Sequence, residues 1–128
     1  MSRDYRKTIF DGQVTGDTLT EVIDQVNLNS PATITVQVEQ GGEGELTFAI
    51  LEAPQIDGDY TRIDGVLKRM NSIATEDFQI VRSGEYREGR HLDLNRLNRF
   101  IKVQMSSSGS HQVTVTVEAR KKHSRTAW

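Results

Sequence analysis

The sequence predicts an all-β protein, a jelly-roll or Greek-key β-sandwich with extended N- and C-terminal arms. Stretches that alternate apolar and polar residues recur along the chain, as expected for strands with one buried face. Turn-forming Gly, Asp and Ser residues separate these stretches at intervals of about ten residues. At 128 residues the chain has the length of a single domain. We divide it into an N-terminal arm (1–16), a sandwich domain (17–119) and a basic C-terminal tail (120–128).

The first clear strands lie on either side of a glycine-rich link. "ATITVQVEQ" (32–40) places its large apolar residues on one face, whereas "ELTFAILEA" (45–53) is apolar on both faces, which predicts a strand near the middle of the fold. Because "GGEG" joins them, residues 36–38 and 46–50 are expected to pair as a β-hairpin.

The last predicted strands form a second hairpin within "RFIKVQMSSSGSHQVTVTVEA" (99–119). Its Ser/Gly tract has the composition of a turn. The predicted core combines the inward residues of both hairpins with one aromatic residue between them: Ile34, Val36, Leu46, Phe48, Ile50, Phe78, Ile101, Val103, Val113 and Val115.

The region between the hairpins is predicted to be mostly loop. Residues 54–66 contain a proline and two Asp-Gly steps, which favour turns. "EDFQIVR" (76–82) is a short strand, "SGEYREG" (83–89) is a loop tip, and residues 90–99 combine a short strand with a turn.

Residues 18–28 allow two interpretations. Leu19, Val22, Ile23 and Val26 have the i, i+3, i+4, i+7 spacing of an amphipathic helix, and Thr18 with Glu21 has the spacing of a capping box. The β-branched content and the lack of alanine favour a strand or an extended arm instead.

Composition limits the classes of function. The absence of cysteine excludes disulfides and thiolate chemistry. No apolar run is long enough to span a membrane, and residues 1–12 do not have the apolar stretch of a signal peptide, so we expect no membrane partner and synthesis in the cytoplasm.

The charges are segregated along the chain. Residues 8–61 contain ten acidic residues and no Lys or Arg, whereas residues 62–128 contain thirteen basic and seven acidic residues. This asymmetry is an argument about partners, and it favours a homodimer or homotrimer in which acids face basic patches of a symmetry mate.

No motif indicates catalysis, a cofactor or a metal. The three histidines (His91, His111 and His123) do not have a metal-ligand spacing and are expected to be exposed. "DGD" (57–59) does not have the further acid of a calcium loop, and "GGEG" is not followed by the lysine or helix of a phosphate-binding loop. We therefore expect a protein that is not an enzyme.

The polar chain ends are the candidate partner-binding segments. Basic and aromatic side chains are frequent interface anchors, and both ends carry them. The predicted contact residues are Arg3, Tyr5, Arg6, Lys7, Arg120, Lys121, Lys122, Arg125 and Trp128. Nucleic acid is not the expected partner, because a chain with a pI of about 5.9 has no basic face elsewhere.

The sequence resembles the small capsid cement (decoration) proteins of tailed bacteriophages. The matching segments are "LTFAILEA" (46–53), "DGDY" (57–60), "RFIKVQM" (99–105), Gly109 and the strand 113–117. The resemblance implies a jelly-roll-like fold, no catalysis and an oligomer on the outer surface of a virion, made in the host cytoplasm. The implied partner is the major capsid (coat) protein.

Two other functions fit the same sequence. One is a carbohydrate-binding β-sandwich that stacks sugars on Tyr60, Tyr86 and Trp128. The other is a phage neck or tail connector protein, which differs from a cement protein in its position on the particle.

Overall fold

The computed structural model describes residues 4–39, 44–69, 78–80 and 86–122, which form nine strands and one short 3-10 helix. The strands are β1 (Asp4–Leu19), β2 (Ile23–Asp24), β3 (Leu28–Val38), β4 (Leu46–Ala53), β5 (Thr61–Ile63), β6 (Leu67–Arg69), β7 (Phe78–Ile80), β8 (Tyr86–Leu92) and β9 (Phe100–Lys121). The 3-10 helix is Leu94–Arg96. No helix in these ranges is long and apolar enough to cross a membrane. The all-β prediction is confirmed.

Strand β9 organises the molecule because it is one long strand bent double. A straight strand of its 22 residues would be about 70 Å long. Its two ends are nevertheless close together. At the start of β9 the Arg99 carbonyl accepts from the Gln25 N–H, and at its end the Lys122 N–H donates to the Asn27 carbonyl, only two residues further along the chain. Two chain steps span less than about 8 Å, so the halves of β9 must fold back over each other.

The bend divides the sheet into two layers. The front sheet contains the first half of β1, the second half of β9, and then β3, β8 and β6. The back sheet contains the second half of β1 with β2, the first half of β9, and then β4 with β5 and β7. Strands that pass from one sheet to the other through a bend are a known way to make the corner of a β-sandwich.

Both predicted hairpins are wrong, although the predicted faces are correct. Residues 99–119 do not turn back, because the Ser/Gly tract is the corner of β9 and the strand continues through it. Strands β3 and β4 do not pair with each other. Both run antiparallel to β9 along the same edge, β3 on residues 113–121 and β4 on residues 100–107. Strand β4 therefore continues along β9 in the same direction as β3.

The core lies between the two sheets and matches the predicted set. Nine of the ten predicted core residues are buried, and the side chain of Phe78 lies outside the description. Along β9 the odd-numbered residues from Ile101 to Met105 and from Val113 to Val117 all point inward.

The N-terminal segment is extended, as predicted, but it belongs to the sheet. From Asp4 onward β1 pairs with β9, and Ile9 and Val14 are in the core. A β-bulge lies at Ile9, since Thr8 pairs with Thr116 and Phe10 with Val115. The Ile9 carbonyl accepts from the Glu21 N–H, which joins the first half of β1 to the segment that follows the strand.

Residues 18–28 contain the end of β1, strand β2 and a turn at residues 26–27, so the helical interpretation is wrong. Leu19 and Val26 are 47% and 45% exposed, whereas a helix would bury them on one face with Ile23. Thr20 is buried instead, and its Oγ1 accepts a hydrogen bond from the Val103 N–H. The Thr20 N–H in turn donates to the Val103 carbonyl at 3.0 Å, so two hydrogen bonds join these residues.

The corner of β9 is held by short polar contacts. The Glu45 N–H donates to Ser108 Oγ at 2.8 Å, and the Ser108 N–H donates to the Glu45 carbonyl at 3.0 Å. Ser107 Oγ lies 2.8 Å from His111 Nδ1. His111 is 1% exposed, so the expectation that it lies on the surface is wrong: the bend turns it into the core.

Gly44 is required at this corner. Its φ is +86°, and a Cβ atom there would lie 2.4 Å from Ser108 Oγ and 2.9 Å from the Gly109 nitrogen. Gly44→Ala is expected to reduce the free energy of unfolding by about 1 to 3 kcal/mol, measured by urea denaturation. The matched control is Gly12→Ala, where a Cβ atom meets only the Phe10 ring at 3.5 Å. Equal losses in the two variants would show that the corner does not need glycine.

Candidate partner-binding surface

The two predicted contact segments meet in the structure. Antiparallel pairing of β1 with β9 places Asp4 opposite Arg120, Tyr5 opposite Ala119 and Arg6 opposite Glu118. Residues from the two ends of the chain therefore lie side by side at one end of the sandwich, although Tyr5 packs against the core and Arg6 lies on the outer face with Glu118. We call this region the terminal patch; its described members are Tyr5, Arg6, Lys7, Arg120, Lys121 and Lys122.

The basic side chains of the terminal patch differ in their partners. Arg6 Nε lies 3.8 Å from Glu118 Oε2, and Lys7 Nζ lies 3.2 Å from Glu21 Oε1. Both pairs are largely exposed, and such pairs contribute little to stability. Arg120, Lys121 and Lys122 are exposed and form no ion pair with another described residue. Their charges are available to a partner.

A shallow groove lies beside the patch. Asn29 pairs with Arg120 and Thr33 with Glu118, so three residues of β3 oppose the single Ala119 of β9. This bulge opens a groove lined by Pro31, Thr33, Glu118, Ala119 and Arg120. The lining combines two apolar residues and a threonine with one acid and one base.

Side-chain hydrogen bonds hold the loop at residues 25–27, to which both ends of β9 are bound. The side-chain amide of Gln25 donates to the carbonyls of Leu94, Leu97 and Asn98 at 2.8 to 3.0 Å. These contacts fix the residues to which both ends of β9 are bound. The patch is thus built on an ordered base.

An ion pair joins the same loop to the start of β9. Arg99 donates two hydrogen bonds of 2.9 Å to the Asp24 carboxylate, and its guanidinium lies 4.9 Å from the Phe100 ring centroid. The hydrogen bond from Arg99 lowers the pKa of Asp24, against the opposing effect of burial. The same hydrogen bond raises the pKa of Arg99.

Three predicted contact residues, Arg3, Arg125 and Trp128, lie outside the described residues. In contrast, Pro31, Thr33 and Glu118 of the groove were missed from the sequence. The only sequence signal was the proline within an otherwise extended segment, which is typical of a bulge or an edge.

The sugar-stacking hypothesis finds a covered ring at Tyr60. Lys102 Nζ lies 4.3 Å from the ring centroid, and the Tyr60 hydroxyl donates to the Ile56 carbonyl. One face of the ring is therefore occupied. The side chain of Tyr86 and all of Trp128 lie outside the description.

The structure is an all-β sandwich in which two bent strands, β1 and β9, run through both sheets. A solved structure with the same fold is the SPBc2 prophage-derived protein YomS, with a TM-score of 0.59 and 12% sequence identity over 93% of this chain and 96% of that chain. More distant structures include PirA (TM-score 0.42, 13% identity, 94% of each chain) and the Tobacco streak virus coat protein dimer (TM-score 0.36, 11% identity, 97% of this chain and 90% of that chain). No family model and no curated protein matches the sequence.

The Asp24 ion pair predicts how acid affects stability. Because the pKa of Asp24 in the folded state is below the 3.8 of an ordinary aspartate, the ion pair stabilises the fold above about pH 4. This stabilisation is lost as the pH falls through the lowered folded-state pKa. Asp24→Asn should therefore melt a few degrees lower than the wild type near neutral pH, with a difference that shrinks below about pH 4.

Thermal unfolding followed by circular dichroism over this pH range measures the difference. Glu21→Gln is the control, because it removes the acid of another exposed ion pair, that with Lys7. A difference that widens as the pH falls would contradict the assigned role of Asp24.

Proposed function

We propose that this chain is a non-enzymatic structural virion protein, a capsid cement or decoration protein. It binds across neighbouring coat subunits on the outer surface of the capsid and stabilises the mature shell. The observation that carries the proposal is the terminal patch, in which two chain ends separated by more than 100 residues lie side by side and the exposed Arg120, Lys121 and Lys122 form no ion pair with another described residue.

A further observation supports the proposal. The fold is that of a prophage-derived protein, which agrees with the phage resemblance of the sequence.

The mechanism is thermodynamic linkage. A protein that binds only the assembled shell lowers the free energy of that state and makes separation of the subunits less favourable. An oligomer that contacts several subunits gains further through effective concentration. Basic residues at the rim of such a contact increase the association rate and make binding sensitive to salt.

Charge reversal tests the patch better than deletion of residues 120–128, because Arg120 and Lys121 pair with the neighbouring strands. The double variant Lys121→Glu/Lys122→Glu leaves the backbone pairing intact. We expect it to bind stripped particles at least about tenfold more weakly than the wild type, with a smaller dependence on salt.

The control is Arg62→Glu/Lys102→Glu, which changes the net charge equally on the back sheet. It should bind like the wild type, and both double variants should unfold at similar temperatures. Equal binding by the two double variants would overturn the assignment of the terminal patch.

A further inference from the structure

The outer face of the front sheet has a centre without charge. Five threonines from three strands point outward there, and all are exposed or half-buried: Thr8, Thr33, Thr35, Thr114 and Thr116. We call this surface the threonine face. Its central row runs across the strands from Thr8 to Thr116, Thr35 and Gly89. Depletion of charge at the centre is characteristic of interfaces between proteins.

Charged residues flank this centre with opposite signs on β1. On one side of the central row, Arg6 lies opposite Glu118. On the other side, Asp11 lies opposite Thr114. The Thr114 hydroxyl donates to the Asp11 carboxylate at 3.1 Å, which places Asp11 on this face. The bulge at Ile9 brings Thr8 and Asp11 to the same face of the sheet. Without the extra residue, these two side chains would lie on opposite faces.

We propose that the threonine face binds the threonine face of a second copy of this chain. In this dimer the front sheets of the two copies stack face to face. The two-fold axis lies between these front sheets, crosses their strands and passes over the central row. This axis places β1 of one subunit antiparallel over β1 of the other. Arg6 then faces the partner's Asp11, and Asp11 faces the partner's Arg6. A two-fold contact of a surface with itself is the commonest arrangement of homodimers.

The available area is sufficient for this contact. Four strands about 4.8 Å apart and nine residues long cover roughly 19 by 30 Å. Each partner therefore contributes about 570 Å², or about 1,100 Å² in total, at the lower end of specific interfaces. The outer face of the back sheet is less suited, because Ala49, Leu51, Ala53 and Phe100 are already buried there.

The first experiment is sedimentation equilibrium of the purified full chain without particles, so its result is independent of the proposed role on the capsid. We expect a dimer at roughly 10 to 100 µM protein. Thr35→Lys brings two lysines together near the axis and should raise the dissociation constant at least about thirtyfold. The matched control is Thr47→Lys, on the outer face of the back sheet, which should remain dimeric.

A charge exchange tests the geometry itself. Arg6→Asp and Asp11→Arg should each weaken the dimer, and the double variant Arg6→Asp/Asp11→Arg should restore it, because both pairs across the axis are then exchanged. A monomeric wild type at these concentrations, equal effects of Thr35→Lys and Thr47→Lys, or additive weakening in the double variant would each overturn the proposal.

Discussion

The bend of β9 is the constraint on which the rest of the structure depends. Four strands pair with it directly: β1 and β2 along one edge, β3 and β4 along the other. Its two ends are joined through residues 25–27, and the Gln25 amide anchors that loop to three carbonyls. The sandwich is therefore closed by one loop and one corner.

The same bend brings the proposed contact surfaces into place. Because β1 begins opposite the last residues of β9, the basic residues of both chain ends come together at the end of the sandwich away from the corner. The threonine face is the outer surface of the front sheet, and it adjoins the terminal patch at Arg6. A contact with the coat at Arg120, Lys121 and Lys122 and a contact between copies at the threonine face would thus be adjacent, which suits a protein that links neighbouring subunits.

Local patterns in the sequence predicted the class and the faces but not the connections. Alternation fixes which side chain of a strand points inward, so the inward set from Ile101 to Val117 was identified correctly. It does not distinguish a turn from a corner, since Ser and Gly serve both, and the hairpin at residues 106–111 was therefore wrong. The contact residues at each chain end were predicted from their charge, whereas their adjacency follows from pairing between strands more than 100 residues apart. The groove at Pro31 depends on the register of β3 against β9, which no local pattern specifies.

The most direct test of the central claim, a structural role on the capsid, is the copy number of this chain in purified particles. Particles from the culture that produces the protein would be separated on a density gradient, and the ratio of this chain to the major coat protein would be measured by quantitative mass spectrometry. The proposed role predicts a fixed ratio of one copy to every one or few coat subunits. About a dozen copies in each particle would place the chain in the neck or tail, and absence from the particles would contradict the virion role altogether.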